Sequence, residues 1–198
     1  MKTLVRLLGA MTIAAVLLGL ASTPASAARR APVCDRWPTS YTFYSVMDHT
    51  VDPPTGVADR MVMGVNGAST ALKAQAIVAR FDPYAVNQQW QSRICNLAGT
   101  DYLQFRNLKS QLCLDKSEDT PNANGNLVYQ YTCTGTNNQL WRRQSQGGSI
   151  GNWKQLKNLA AGRCLDIHYE RWVTGQHLVV WDCATSSAPS RSQQWNTY

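Results

Sequence analysis

The sequence repeats itself at an interval of 51 residues, and this limits the fold more than any other feature. Cys113-Leu114-Asp115 returns as Cys164-Leu165-Asp166, and the Asn-Leu pair that ends Tyr102–Leu108 returns 51 residues later at the end of Trp153–Leu159. In each copy a second cysteine follows, Cys133 after 20 residues and Cys183 after 19. The form Q-x-W closes three segments: Gln88-Gln89-Trp90, Gln139-Leu140-Trp141 and Gln193-Gln194-Trp195. The first copy is degraded. Fifty-one residues before Cys113 and Asp115 stand Val62 and Gly64. Ala76–Asp82 parallels Asn126–Thr132, and Pro83 then stands where the second copy has Cys133.

Met1 to Ala27 has the form of a cleaved secretory signal peptide. Lys2 and Arg6 give the basic start, Leu7 to Leu20 is almost unbroken apolar sequence, and Ala25-Ser26-Ala27 is an A-x-A cleavage signal. The apolar run is short for a membrane span, and no other segment could cross a bilayer. A secreted, extracellular protein is therefore expected. Loss of Lys2 and Arg6 takes the formal charge from +7 to +5 (+7 − 2). The basic residues are scattered, so nucleic acid is not an expected partner.

In an oxidising compartment, six cysteines form a disulfide framework with 15 possible connectivities. Both members of the repeated pair are missing from the first copy together, as expected if they bond to each other. The expected bonds are Cys113–Cys133 and Cys164–Cys183, with Cys34–Cys95 left by elimination.

Leu127-Val128-Tyr129-Gln130-Tyr131 and Leu178-Val179-Val180-Trp181 are β-branched and aromatic, and Asn124-Gly125 is a turn signal. Beyond the signal peptide no segment sustains a capped 3.6-residue period. Ala58 to Arg80 has weak helical colour, which the repeat register overrides. The expectation is all-β, with three copies about a pseudo-threefold axis.

In these motifs the sequence resembles the ricin B-type lectins, also called family 13 carbohydrate-binding modules. The resemblance implies a β-trefoil of twelve strands, six in a barrel and six in a cap of hairpins. It covers residues 44–198, with repeats of about 44–93, 94–144 and 145–198. Residues 28–43, with Cys34 and Trp37, lie outside it. It also implies that Trp90, Trp141 and Trp195 pack in the core.

The family's sugar site joins the Asp of Cys-x-Asp, an aromatic two residues before the second cysteine, and a polar residue before the Q-x-W glutamine. A carboxylate or amide can serve vicinal hydroxyls while an aromatic face covers the apolar side of the ring. The implied second-copy residues are Asp115, Tyr131 and Asn138 with Gln139 beside them; Tyr129 stands where the family often has Gln. In the third copy they are Asp166, Trp181 and Ser192, and the loop Ile167-His168-Tyr169-Glu170 could add contacts. In the first copy Phe81 and Asn87 remain, but Gly64 replaces the carboxylate, so that copy is expected to be silent.

Catalysis is not expected. Gly147-Gly148-Ser149-Ile150-Gly151 fits G-x-S-x-G, but it sits in a polar link without the strand and helix a nucleophile elbow needs. His49, His168 and His177 lack metal-ligand spacing, so no metal and no cofactor are expected. Asp115 and Asp166 belong to different lobes and could not share one glycosidic bond. The expected function is a secreted lectin for galactose-type or related glycans and polysaccharides, with glycosylated cell surfaces among its targets. A protein-interaction trefoil, an inhibitor or cell-surface effector with vestigial pockets, is the alternative.

Overall fold

Short runs of β-branched and aromatic residues between turns become short strands, where such side chains pack well on a pleated surface. The computed structural model describes residues 30–46, 60–119, 122–145 and 153–197. The signal-peptide segment, His49 and Gly147–Gly151 lie outside the described residues. The strands are β1 (Val33–Cys34), β2 (Tyr44–Val46), β3 (Met61–Val65), β4 (Ala76–Arg80), β5 (Trp90–Leu97), β6 (Thr100–Asn107) and β7 (Cys113–Lys116). There follow β8 (Asn126–Tyr131), β9 (Trp141–Gln144), β10 (Gln155–Asn158), β11 (Cys164–Ile167), β12 (Leu178–Trp181) and β13 (Trp195–Thr197).

Six strands close a ring. β5 pairs with β6, β6 with β9 at Leu103 and Trp141, β9 with β10, and β13 with β2. Single bridges complete it, Lys154 to Trp195 and Thr42 to Trp90. Three hairpins, β3–β4, β7–β8 and β11–β12, form the cap. They are knit together by β8–β12 pairing and by bridges from Gln75 to Tyr129 and Ile77 to His177. Strands β2 to β13 thus divide as six barrel and six cap strands, the β-trefoil division. The stretch with helical colour forms β3 and β4 instead. Val62, Met63, Val65 and Val78 there are fully buried, so packing on both faces of the hairpin overrides local propensity.

One interaction recurs three times in the core. Trp90, Trp141 and Trp195 are each 0–1% exposed. Their indole N–H groups donate to the carbonyls of Met63, Leu114 and Leu165, at 3.0, 3.3 and 3.1 Å. Those carbonyls stand 51 residues apart, so each barrel tryptophan ties its strand to the matching cap strand. The β5–β6 hairpin turns on Ala98 (φ 51°) and Gly99 (φ 83°). Two positive φ values are what a two-residue loop between twisted strands requires.

Disulfides join Cys113 to Cys133, Cys164 to Cys183 and Cys34 to Cys95. The last pins an N-terminal strap to the barrel. Cys34 lies opposite Cys95 in the β1–β5 pairing. Downstream, Trp37 packs under two guanidinium groups, with Arg93 and Arg106 4.2 and 4.4 Å from its ring centre. Both arginines are held in place by glutamines, Arg93 by Gln104 and Arg106 by Gln91, and Gln91 in turn donates to the Pro38 carbonyl at 2.6 Å. The strap therefore has a structural place that the resemblance did not supply.

A loop-closure account predicts the order of importance of these bonds. Cys34–Cys95 closes 61 residues and Cys113–Cys133 closes 20. Replacing each pair by Ala is expected to cost roughly 4 and roughly 3 kcal/mol respectively. Urea unfolding of the two double variants checks this. The reverse order would show that the strap is not constraining the chain.

Candidate functional site

The period of two along a strand sets the site. On the β7–β8 hairpin Cys113 faces Tyr131 and Asp115 faces Tyr129, so both tyrosines share a face with the carboxylate. Asp115, Tyr129, Tyr131 and Asn138 line a pocket of about 300 Å³, with Lys73, Glu118 and Asp119 at its edge. The two tyrosine rings stand 6.2 Å apart and tilted by 46°. Tyr129, which replaces the family's amide, is therefore part of the wall.

Gln139 is fully buried beneath this pocket and acts through its neighbour. Its amide N–H groups donate to Asp115 Oδ2 at 2.8 Å and to the Thr132 carbonyl at 2.7 Å. Its carbonyl oxygen accepts from the backbone of Thr134 and Gly135 and from the amide of Gln104. A side chain saturated in this way fixes the aim of Asp115 but has no face left for a sugar. Asp115 itself is 4% exposed. Burial pushes its carboxyl up to about 6, against the pull of the Gln139 hydrogen bond; the Glu118 charge adds to the rise and Lys116 opposes it.

The third hairpin repeats the pattern. Trp181 faces Cys164 and Asp166 faces Val179. Gln193 donates to Asp166 Oδ2 at 2.7 Å and to the Asp182 carbonyl, and accepts from the amide of Gln155 and the backbone of Ala184. Burial raises the Asp166 carboxyl as well. The pocket here is wider, about 620 Å³, and Tyr169, Glu170, Trp181 and Ser190 line it. Ser192 departs from expectation. It is fully buried, and its hydroxyl lies 2.7 Å from that of Ser190 and 3.4 Å from Glu170 Oε1. Its short side chain turns inward, and Ser190 and Glu170 take the rim.

The first lobe keeps the framework without the carboxylate. Gln88 donates to the Arg80 carbonyl and accepts from the Asp82 backbone. A Cβ on Gly64 would come within 3.3 Å of Gln88 Cγ, so the glutamine has closed over the space that an aspartate fills in the other lobes. Asn87 spends its amide on the Val65 carbonyl at 3.0 Å.

The family model for the ricin-type β-trefoil lectin domain-like proteins matches residues 86–181. Over those residues the chain is similar to the ricin-type β-trefoil lectin domains. Solved structures agree on the fold. The designed threefold-symmetric protein ThreeFoil is 22% identical with a TM-score of 0.63, over 79% of this chain and 96% of that one. An exo-β-1,3-galactanase from Clostridium thermocellum is 20% identical with a TM-score of 0.63, over 81% of this chain but 30% of its own length. The C-half of an earthworm R-type lectin in complex with GalNAc is 17% identical with a TM-score of 0.51, over 80% of this chain and 98% of that one. No curated protein matches the sequence. Among the described residues, no helix is long and apolar enough to cross a membrane, and no group of three His, Cys, Asp or Glu could hold a metal ion.

Proposed function

We propose that the chain is a secreted lectin, built of three Q-x-W repeats, that binds galactose-type or related glycans without turning them over. The observation that carries this reading is the second-lobe pocket. A buried carboxylate is aimed by a saturated glutamine, and two tyrosine rings stand on the same face. The carboxylate accepts from vicinal hydroxyls, the rings cover the apolar C–H face, and Asn138 closes the polar edge. The GalNAc complex of the earthworm relative supports the galactose class. The third lobe is a second site and the first is structural. A single shallow site of this kind binds in the millimolar range, about 4 kcal/mol. Two sites on one rigid body gain avidity on a polysaccharide or a glycosylated cell surface.

The test is calorimetric titration of the oxidised protein with galactose, lactose and xylan oligosaccharides. Saturable binding of one of them is expected; a folded protein that binds none, and captures a protein partner instead, would favour the interaction-trefoil reading.

Asp115 also fixes the pH dependence. Hydroxyl recognition uses the ionised carboxylate, so affinity is expected to fall as pH drops through about 6, by about tenfold at pH 5. The effect on stability has the opposite sign. The folded value lies above the ordinary 3.8, so this group's contribution to folding is complete below 3.8 and lost as pH rises through about 6. Acid should therefore remove binding before it removes the fold. Titrations at pH 5 and pH 7, each with a melting curve, check this; equal affinity at the two values would contradict it.

A further inference from the structure

The two pockets differ in where their cation stands. The second is edged by a cation, with Lys73 Nζ 2.8 Å from Asp119. The third is lined by Asp166, Glu170 and Asp182, and among the described residues no lysine or arginine lines it; Arg163 pairs with Asp182 without lining the pocket. Asp166 is 6% exposed, and its Oδ1 is buried without a hydrogen-bond partner among the described residues. Most buried polar side-chain atoms find a partner, so this carboxylate is a group of the wall with acceptor capacity to spare. Over the same pocket stands Trp181, 36% exposed and the only tryptophan among its lining residues. Indole is the side chain that best attracts a cation to its face.

The loop that completes this wall is held in an unusual conformation. Tyr169 and Glu170 are consecutive non-glycine residues with φ of 58° and 52°. The Glu170 carboxylate accepts from Ser190 at 2.9 Å, and the ring of Tyr169 stacks on His168 at 3.8 Å. These contacts hold Glu170 at the rim. Asp182 Oδ1 pairs with Arg163 at 3.1 Å and its Oδ2 accepts from Asn124 at 2.9 Å, which fixes its position and offsets part of its charge.

We infer that the third pocket selects an amino sugar with a free, protonated amine over its neutral or N-acetylated counterpart. The ammonium faces the acidic wall at Glu170, and the sugar's C–H face lies on Trp181. An acetyl group would remove both the charge and two of the donors. This inference rests on the lectin reading of the same pocket.

The experiment is an NMR titration of the oxidised chain at pH 7 with galactosamine, glucosamine, N-acetylgalactosamine and galactose, read at the Trp181 indole N–H and at the Tyr131 amide. Galactosamine or glucosamine is expected to bind at Trp181 about tenfold more tightly than N-acetylgalactosamine, with the preference shrinking as salt is raised. Glu170→Gln and Asp182→Asn should each cut that preference while leaving the Tyr131 response to galactose unchanged. Asp182 is the safer of the two, being exposed and away from the serine contacts. If galactose moves Tyr131 while the free amines show no preference at Trp181, the inference fails alone. If no sugar moves either probe, it fails together with the lectin reading.

Discussion

Trp141→Ala is expected to destabilise the protein by about 3–5 kcal/mol, a large share of what a domain of this size has to lose. The indole is fully buried where β9 meets β6, and its N–H satisfies the Leu114 carbonyl beneath the cap. Truncation leaves a cavity in the core and an unpaired buried acceptor, and the two costs add. Trp181→Ala is the matching control. That side chain is 36% exposed at the end of β12, so its loss should change stability by no more than about 1 kcal/mol. Urea denaturation of both variants separates core from binding surface. Equal losses would mean that Trp181 is packed rather than presented.

Asp115→Ala is the second large effect, and it falls on binding. Removing the acceptor of a charge-assisted hydrogen-bond pair costs about 1.5–3 kcal/mol, which takes a millimolar site beyond detection. The fold should survive. Gln139 keeps Thr132, Thr134, Gly135 and Gln104 as partners, and the variant no longer buries a charge. Galactose titration together with a melting curve is the check. Undiminished binding by the folded variant would remove Asp115 from the site.

What the sequence could show depended on how local each feature is. The 51-residue spacing places Asp115 and Asp166 at matching points of two hairpins, and the strand period sets Tyr131 and Trp181 on the same faces. The joint loss of both cysteines from the first copy makes its Gly64 readable as a vacated carboxylate position. Other features arise only when lobes meet. Lys73 reaches the second pocket from the first lobe, across a bond from its backbone to the Gln130 carbonyl, and no spacing announces that. Trp37 gains its place from arginines on two neighbouring strands, so residues 28–43 are opaque until β5 and β6 are paired. Ser192 shows the limit of positional carry-over. A residue shorter than Asn leaves the pocket wall, and Glu170 from another loop turns to meet it.

Sugar is expected to bind on the β7–β8 hairpin and not at its degraded counterpart. A site-resolved map of amide shifts during galactose addition tests it most directly. Shifts centred on Asp115, Tyr131 and Asn138, with Gly64, Phe81 and Asn87 unmoved, are predicted. Shifts centred on the first lobe, or none anywhere in a folded protein offered galactose, lactose and xylan fragments, would contradict the account.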